Sequence, residues 1–329
     1  MILEKRTFII IMIIGIIVGI YVLALSFNNT ITSEKANQTQ QPVTSLNAQS
    51  DQVLGRLSHN VILEKPVKNN IRDIMIYKTI PKHYTREDIL SMAKKFNISP
   101  IGRIKEVTEG SSVASVDGKV QAILHNSGFA EYHNSNQKRT VNTLDNPENF
   151  ISDDDAVKIA TKFLKDRNLL PEGTIFRKIT YGEIHGSAKD GTDIVFREDV
   201  QVWYGRKLDG VIVEGTQLML AMDADGTLID YFTNWRTYEP YKKMPIKSPE
   251  EAFDDLKVKG VSVGMDSPDK VSINDMYLSY MTKAGAEKED YLEPVWMFKG
   301  DVIVNNKSVM SVNPYVPALT EESRKSLSS

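Results

Sequence analysis

Apolar positions along the chain switch between two periods, and the switches divide it into repeated units. In ISDDDAVKIATKFL the residues Ala156, Ile159, Ala160, Phe163 and Leu164 recur at helical spacing, with Lys158, Lys162 and Lys165 on other faces. Downstream, TIFRKITYGEI, TDIVFREDVQVWYGR, GVIVEGTQLMLAMD and GTLIDYFTNW alternate and are rich in β-branched and aromatic residues, which predicts successive strands. Gly205 to Gly210 and Asp223-Ala224-Asp225-Gly226 stand where hairpin connections are expected.

Three segments open in the same way. Thr85-Arg86-Glu87-Asp88, Ser152-Asp153-Asp154-Asp155 and Ser248-Pro249-Glu250-Glu251 each place a hydroxyl residue three positions before a carboxylate. That spacing predicts an N-cap satisfying the orphan amides of a helix start, with first-turn carboxylates facing the positive end of the helix dipole. The aspartate triplet, which by itself invites a metal or acid/base reading, thereby becomes one of three helix starts. Strands follow the first start (IGRIKEV, KVQAILHN and FAEYHN, with a turn at Asp117-Gly118) and the third (VSINDMYLSYM, EPVWMFKGDVIV and SVMSVNPYVPAL).

The predicted fold class is therefore α+β: tandem modules of one helix packed on an antiparallel β-meander, preceded by a transmembrane helix. The expected divisions are an anchor over 1–27, a polar stalk over 28–70, modules over 71–145, 146–242 and 243–320, and a polar tail over 321–329. The anchor rests on Phe8 to Phe27, about 20 residues without a charge, enough to cross a bilayer core of roughly 30 Å. Lys5 and Arg6 precede them and favour a cytoplasmic N-terminus with the rest of the chain extracytoplasmic, in a single-pass cell-membrane protein. A cleaved signal peptide, with Ala24 and Ser26 before the cut, is the alternative, although such signals usually have a shorter apolar region of about 7–15 residues.

Composition narrows the chemistry. The chain has 329 residues and a formal net charge of -3, without a basic stripe for nucleic acid. It has no cysteine, which excludes disulfides, thiolate metal sites, cysteine nucleophiles and a lipoprotein anchor. The segment LMLAMDADGTLID looks like the first motif of haloacid-dehalogenase-type phosphatases, in which paired aspartates work beside magnesium. That chemistry needs a parallel doubly wound domain, which the remaining sequence does not predict, and a hairpin turn explains Asp225-Gly226 as well. Asp223, Asp225 and Asp230 do not match calcium-loop spacing. The five histidines form no HExxH pair, although His125 and His133 are placed to approach across a hairpin. Ser267-Pro268-Asp269-Lys270 spells SxxK without companion motifs. No catalytic residue, metal or cofactor is assigned.

Aromatic residues supply the remaining candidates. Trp296, between Val295 and Phe298, reads as core. Tyr204, Trp235 and Arg236, beside predicted turns, read equally as core or as a partner-binding surface, and they are the candidate binding residues.

The opening ISDDDAVKIATKFL resembles the helix start of PepSY domains. VQVWYGRKLDGVIVEGTQLMLAMDADGTLIDY is similar to the hairpin and turn of PepSY and fungalysin/thermolysin-type protease propeptides. An anchor followed by such modules also looks like the YycH/YycI regulators that restrain a sensor kinase. The resemblance spans roughly residues 84 to 318. It implies a non-enzymatic binding or regulatory protein acting on a protein partner such as a protease or sensor. A metal-assisted phosphohydrolase built on DADGTL and a cell-envelope structural component are the rival expectations.

Overall fold

The computed structural model describes residues 56–66, 71–107, 109–136, 142–143, 150–187, 193–265, 268–284 and 287–328. The first part contributes β1 (Leu57–Ser58), β2 (Val61–Leu63), β3 (Asp73–Ile80), α1 (Arg86–Lys95), β4 (Ile101–Val107), β5 (Gly110–Ser115), β6 (Val120–His125), β7 (Phe129–Asn134) and β8 (Asn142–Thr143). The middle holds α2 (Asp153–Asp166), β9 (Thr174–Ser187), β10 (Asp193–Leu208), β11 (Val211–Met222) and β12 (Leu228–Asn234). The last part comprises β13 (Thr237–Pro245), α3 (Pro249–Lys259), β14 (Val261–Ser262), β15 (Lys270–Met281), β16 (Tyr291–Val304), β17 (Lys307–Val312), β18 (Tyr315–Pro317) and α4 (Glu321–Ser328).

Eighteen strands against four helices among the described residues make the fold mostly β, which corrects the expected α+β class of separate helix-on-meander modules. Sixteen strands join one sheet, with the order β13-β3-β16-β15-β11-β12-β7-β6-β5-β4 along its main path. The reason lies in the strand edges. An unpaired edge leaves backbone amides and carbonyls unsatisfied, and here strands of one segment complete those of another. His133 of β7 stands opposite Asp230 of β12. β11 divides its length, pairing Leu218 to Met222 with β12 while Val213 and Glu214 run parallel to Tyr280 and Met281 of β15. β3 lies between β13 and β16.

For the described residues the membrane-spanning expectation is also corrected. Among the described residues no helix is long and apolar enough to cross a bilayer. Residues 8–27, on which the expectation of a single-pass anchor rested, lie outside the described residues, as does the stalk from 28 to 55.

The three helix starts are built as their spacing predicts. Thr85, Ser152 and Ser248 are N-caps in extended conformation, and each side chain accepts from the amide three residues on. Asp88 and Glu251 reach back to the cap amides and close reciprocal boxes. In the aspartate triplet, Asp155 accepts from the Ser152 hydroxyl at 2.8 Å and from Lys158 Nζ at 3.0 Å, and Asp153 accepts from the Tyr181 hydroxyl. At the other ends α1 and α2 tie each other down. Arg167 Nε donates to the Lys95 carbonyl at 2.8 Å, and Lys95 Nζ to the Asn168 carbonyl at 3.2 Å, so cations sit where helix carbonyls lack partners.

Two cores result. One lies between α1 and α2 and the face of β5, β6, β7, β10, β11 and β12 that carries Val113, Ala122, Leu124, Ala130, Tyr132, Val202, Leu218, Leu220 and Tyr231. The helices contribute Ile89, Met92, Ala156, Ala160 and Leu164 to it. The other gathers β2, β3, β15, β16 and α3 around Trp296, which is fully buried and donates its indole N–H to the Lys247 carbonyl at 3.0 Å.

Two strand boundaries differ from the sequence pattern. β10 does not turn at Gly205; it continues to Leu208 through a register shift between Tyr204 and Arg206, and the turn falls at Asp209-Gly210. β13, TYEPYKKMP, is a strand despite two prolines because it runs at the sheet edge, where a missing amide costs no ladder bond, and its register shifts beside Pro240.

Candidate functional site

The structure buries all three sequence candidates, with Tyr204, Trp235 and Arg236 exposing 4%, 8% and 5% of their surface. Tyr204 turns toward α2, where its hydroxyl lies 2.8 Å from Thr161 Oγ1, and burial pushes its phenol pKa up. Trp235 and Arg236 stay together in a different place, the corner between β12 and β13. Of the two readings open at these positions, core packing describes Tyr204, and an internal polar network holds Arg236.

That network joins three parts of the chain. Arg236 Nη2 donates to the carbonyls of Ala284 at 2.7 Å and Glu287 at 2.9 Å, and its Nε lies 3.8 Å from Glu289 Oε1. Glu289 accepts from Tyr238 OH at 2.8 Å, Thr79 Oγ1 at 3.1 Å, Thr282 Oγ1 at 3.0 Å and the Lys283 amide at 2.6 Å. Four donors from three parts of the chain thus converge on one buried carboxylate. Burial first, and the Glu289 charge next, raise the Tyr238 pKa far above its ordinary value, so the phenol remains a donor. Arg206, 9% exposed, completes the corner. Its Nη1 donates to the Arg236 carbonyl at 2.7 Å, and its guanidinium carbon lies 5.3 Å from the Trp235 ring and 4.9 Å from the Tyr238 ring.

The DADG segment closes an antiparallel hairpin between β11 and β12. Asp223 Oδ1 accepts from the Ala224 amide and Asp225 Oδ1 from the Thr227 amide, both at 2.8 Å. Gly226 has φ +84°, and a Cβ there would lie 2.9 Å from Ile159 Cδ1. These aspartates shape a turn against α2 rather than the tip of a parallel strand. His125 and His133 are not brought together either. His125 Nδ1 lies 2.7 Å from Ser127 Oγ, whereas His133 stands opposite Gln121 on one side and Asp230 on the other, and its Nδ1 bonds to the Asp230 carboxylate. Among the described residues, no group of three His, Asp or Glu is placed to hold a metal ion.

A surface that the sequence reading missed lies on the reverse of the first core. Side chains alternate across a strand, so the register defines rows on the face turned away from α1 and α2. One row runs Trp203, Met219, Phe232, Glu131, Ile123, and the next runs Gln201, Ala221, Asp230, His133, Gln121. Phe129, opposite Asn234, stands beside the first row, and its ring meets that of Phe232 edge-on at 5.4 Å. None of these residues belongs to either core. Met219 and Ala221 are buried, while Trp203, Phe129, Phe232, Glu131, His133 and Asp230 remain partly exposed.

This face mixes rings and carboxylates. Trp203 Nε1 donates to Thr180 Oγ1 at 2.7 Å, which fixes the indole, and Lys178 Nζ lies 5.7 Å from its ring centre. Burial among the rings, followed by repulsion from Asp230, pushes the Glu131 carboxyl up to about 7. The sequence signal was available in FAEYHN and LIDYFTN, where one alternating set is Ala130, Tyr132, Ile229, Tyr231 and the other carries Phe129 and Phe232 among polar residues. Rings on the polar set mark a face that is not simply solvated.

Open depressions lie on the helix side. One, of about 410 Å³, lies between the C-terminal ends of α1 and α2, around Lys94, Lys95 and Arg167. Another, of about 300 Å³, is walled by Phe96, Tyr132, Phe163 and Arg167. The reciprocal helix-end bonds account for Lys95 and Arg167 there.

No family model matches the chain, and no curated protein matches it. Among solved structures, the chain is similar to an uncharacterized protein from Eubacterium rectale ATCC 33656, at 13% identity over 75% of this chain and 85% of that one, with a TM-score of 0.44. At that level the likeness carries no argument about fold or function.

Proposed function

We propose that the chain is a non-enzymatic binding protein that regulates a protein partner, and that it docks this partner on the face of β10, β11, β12 and β7 turned away from the helices. The observation that carries the reading is the row Trp203, Met219, Phe232, Glu131: half-buried rings and a desolvated carboxylate in the middle of a sheet face that neither core uses. Rigid aromatic groups on a fixed sheet lose little conformational freedom on binding and serve as anchors.

Charge selects the partner's chemistry. Glu131 and Asp230 lie among three rings, and a lysine or arginine side chain of the partner satisfies both features, pairing with carboxylate while stacking on a ring. The partner is therefore a protein that presents a basic side chain within an apolar segment. The resemblance to PepSY-type and YycH/YycI-type regulators favours a protease or a sensor as its class.

A photo-crosslinking residue placed at position 232 of the full chain, in its native cells, tests this. Position 258, on α3 and 81% exposed, serves as the control. Position 232 is expected to capture one distinct protein that position 258 does not. The same captured set from both positions, or only copies of this chain from position 232, would contradict the reading.

A further inference from the structure

Arg206 is a buried cation without an ion-pair partner among the described residues. Its Nη1 is used by the Arg236 carbonyl, its Nε is enclosed without a hydrogen-bond partner, and no carboxylate among the described residues lies within ion-pair distance of it. Glu172, at an exposed position, acts on Arg206 through its charge alone, and two other carboxylates of the corner are committed elsewhere. Asp209 accepts from Tyr77 OH at 2.5 Å, and Glu289 faces Arg236. Stacking against Trp235 and Tyr238 offsets only part of the cost of desolvating the charge.

The geometry of the guanidinium says what is missing. Nε–H and one Nη–H group point along the same side and form the fork that grips a carboxylate through two parallel bonds. In Arg206 the nitrogen on the far side, Nη1, holds the protein carbonyl. The side-on fork, Nε with Nη2, is left over. A second cation stands nearby. Thr237 pairs with Ile80, so the chain leaving β3 runs alongside Arg236 and Trp235 and brings Lys82 to the corner, where its amide donates to the Asn126 carbonyl at 3.3 Å. Its ammonium lies 5.8 Å from the Tyr84 ring centre and makes no ion pair among the described residues. Burial, and next the charge of Arg206, hold the Lys82 pKa below its ordinary value, against the opposing charge of Asp88.

We propose that this corner is a carboxylate-binding site, in which the Nε–Nη2 edge of Arg206 receives the two oxygens, Lys82 supplies the second charge, and Trp235 and Tyr238 wall the guanidinium. It is distinct from the sheet face assigned above and stands independently of it. The carboxylate comes either from a small organic acid or from the free C-terminus of a peptide, and the two sources share this chemistry.

The Arg206 Nε–H resonance of the full chain, followed by ¹⁵N-resolved NMR, reads the site directly. Acetate, a tripeptide with a free C-terminus and the same tripeptide amidated are the probes. The expected result is a saturable shift with acetate or with the free-acid tripeptide, and none with the amidated one. A response to acetate alone identifies a small acid, and a response to the free-acid tripeptide at tenfold or more lower concentration identifies a peptide terminus. Lys82→Ala, at a partly exposed position, keeps the fold and weakens the response at least fivefold. No saturable shift with either carboxylate, a shift equal for the amidated peptide, or a response unchanged in Lys82→Ala overturns the proposal.

Discussion

Arg236 and Glu289 face one another inside the protein, with Nε 3.8 Å from Oε1 and side chains exposing 5% and 0% of their surface. The pair connects the corner between β12 and β13 to the segment between β15 and β16, and Thr79 adds β3 to the same carboxylate. Removing one partner of a buried pair leaves the other charge uncompensated, which costs about 3–5 kcal/mol. Glu289→Ala is expected to lower the unfolding free energy by that amount in urea titration. Glu289→Gln, which keeps one acceptor oxygen, is expected to lose less. Equal stability of the alanine variant and the parent would show that the network is not structural.

Glu131 makes stability depend on pH. Its folded pKa of about 7 lies above its ordinary 4.5, so burial favours the protonated form. The stabilising contribution is complete below about pH 4.5, falls as pH rises, and is gone above about pH 7, a swing on the order of 3 kcal/mol. Glu131→Gln, neutral at every pH, is expected to flatten the thermal midpoint between pH 5 and 8 and to exceed the parent at pH 8. A parent and variant with parallel pH profiles would contradict the burial of this carboxyl.

The caps are expected to act alike. Ser152→Ala and Ser248→Ala each remove an acceptor from the third amide of a helix, and each is expected to cost about 1 kcal/mol by denaturant titration. A loss of metal binding or of activity from Ser152→Ala with unchanged stability would return the aspartate triplet to a chemical role.

Gly226 and Gly118 separate turn geometry from packing. Both have positive φ, +84° and +70°, and alanine in that region costs about 1 kcal/mol. A Cβ at Gly118 meets nothing within 4 Å, whereas at Gly226 it presses on Ile159 of α2. Gly226→Ala is therefore expected to destabilise by about 1 kcal/mol more than Gly118→Ala, since overpacking adds to the backbone term.

Local features were legible because local chemistry determines them. The caps at Thr85, Ser152 and Ser248, the α2 stripe and the Asp-Gly turns follow from residue types at short spacing. Pairing was not legible. Nothing in FAEYHN says that β7 continues into β12, and nothing in GVIVEGTQLMLAM says that β11 serves two neighbours, so a reading confined to segments produced modules where the chain builds one sheet. The candidate site was half legible. Trp235 and Arg236 belong to a polar corner, but Arg206 and Glu289, which give it its charge, come from β10 and from the segment before β16. The sheet face was missed because Phe129, Glu131 and Phe232 become a row only once the register of β7 and β12 is known.

The sheet-face assignment is tested most directly by the affinity of the partner captured at position 232, purified and titrated against the full chain by calorimetry. Trp203→Ala and Glu131→Lys are expected to weaken binding tenfold or more each, with Val258→Ala on α3 without effect. Affinities unchanged by both face substitutions, or weakened equally by Val258→Ala, would contradict the assignment.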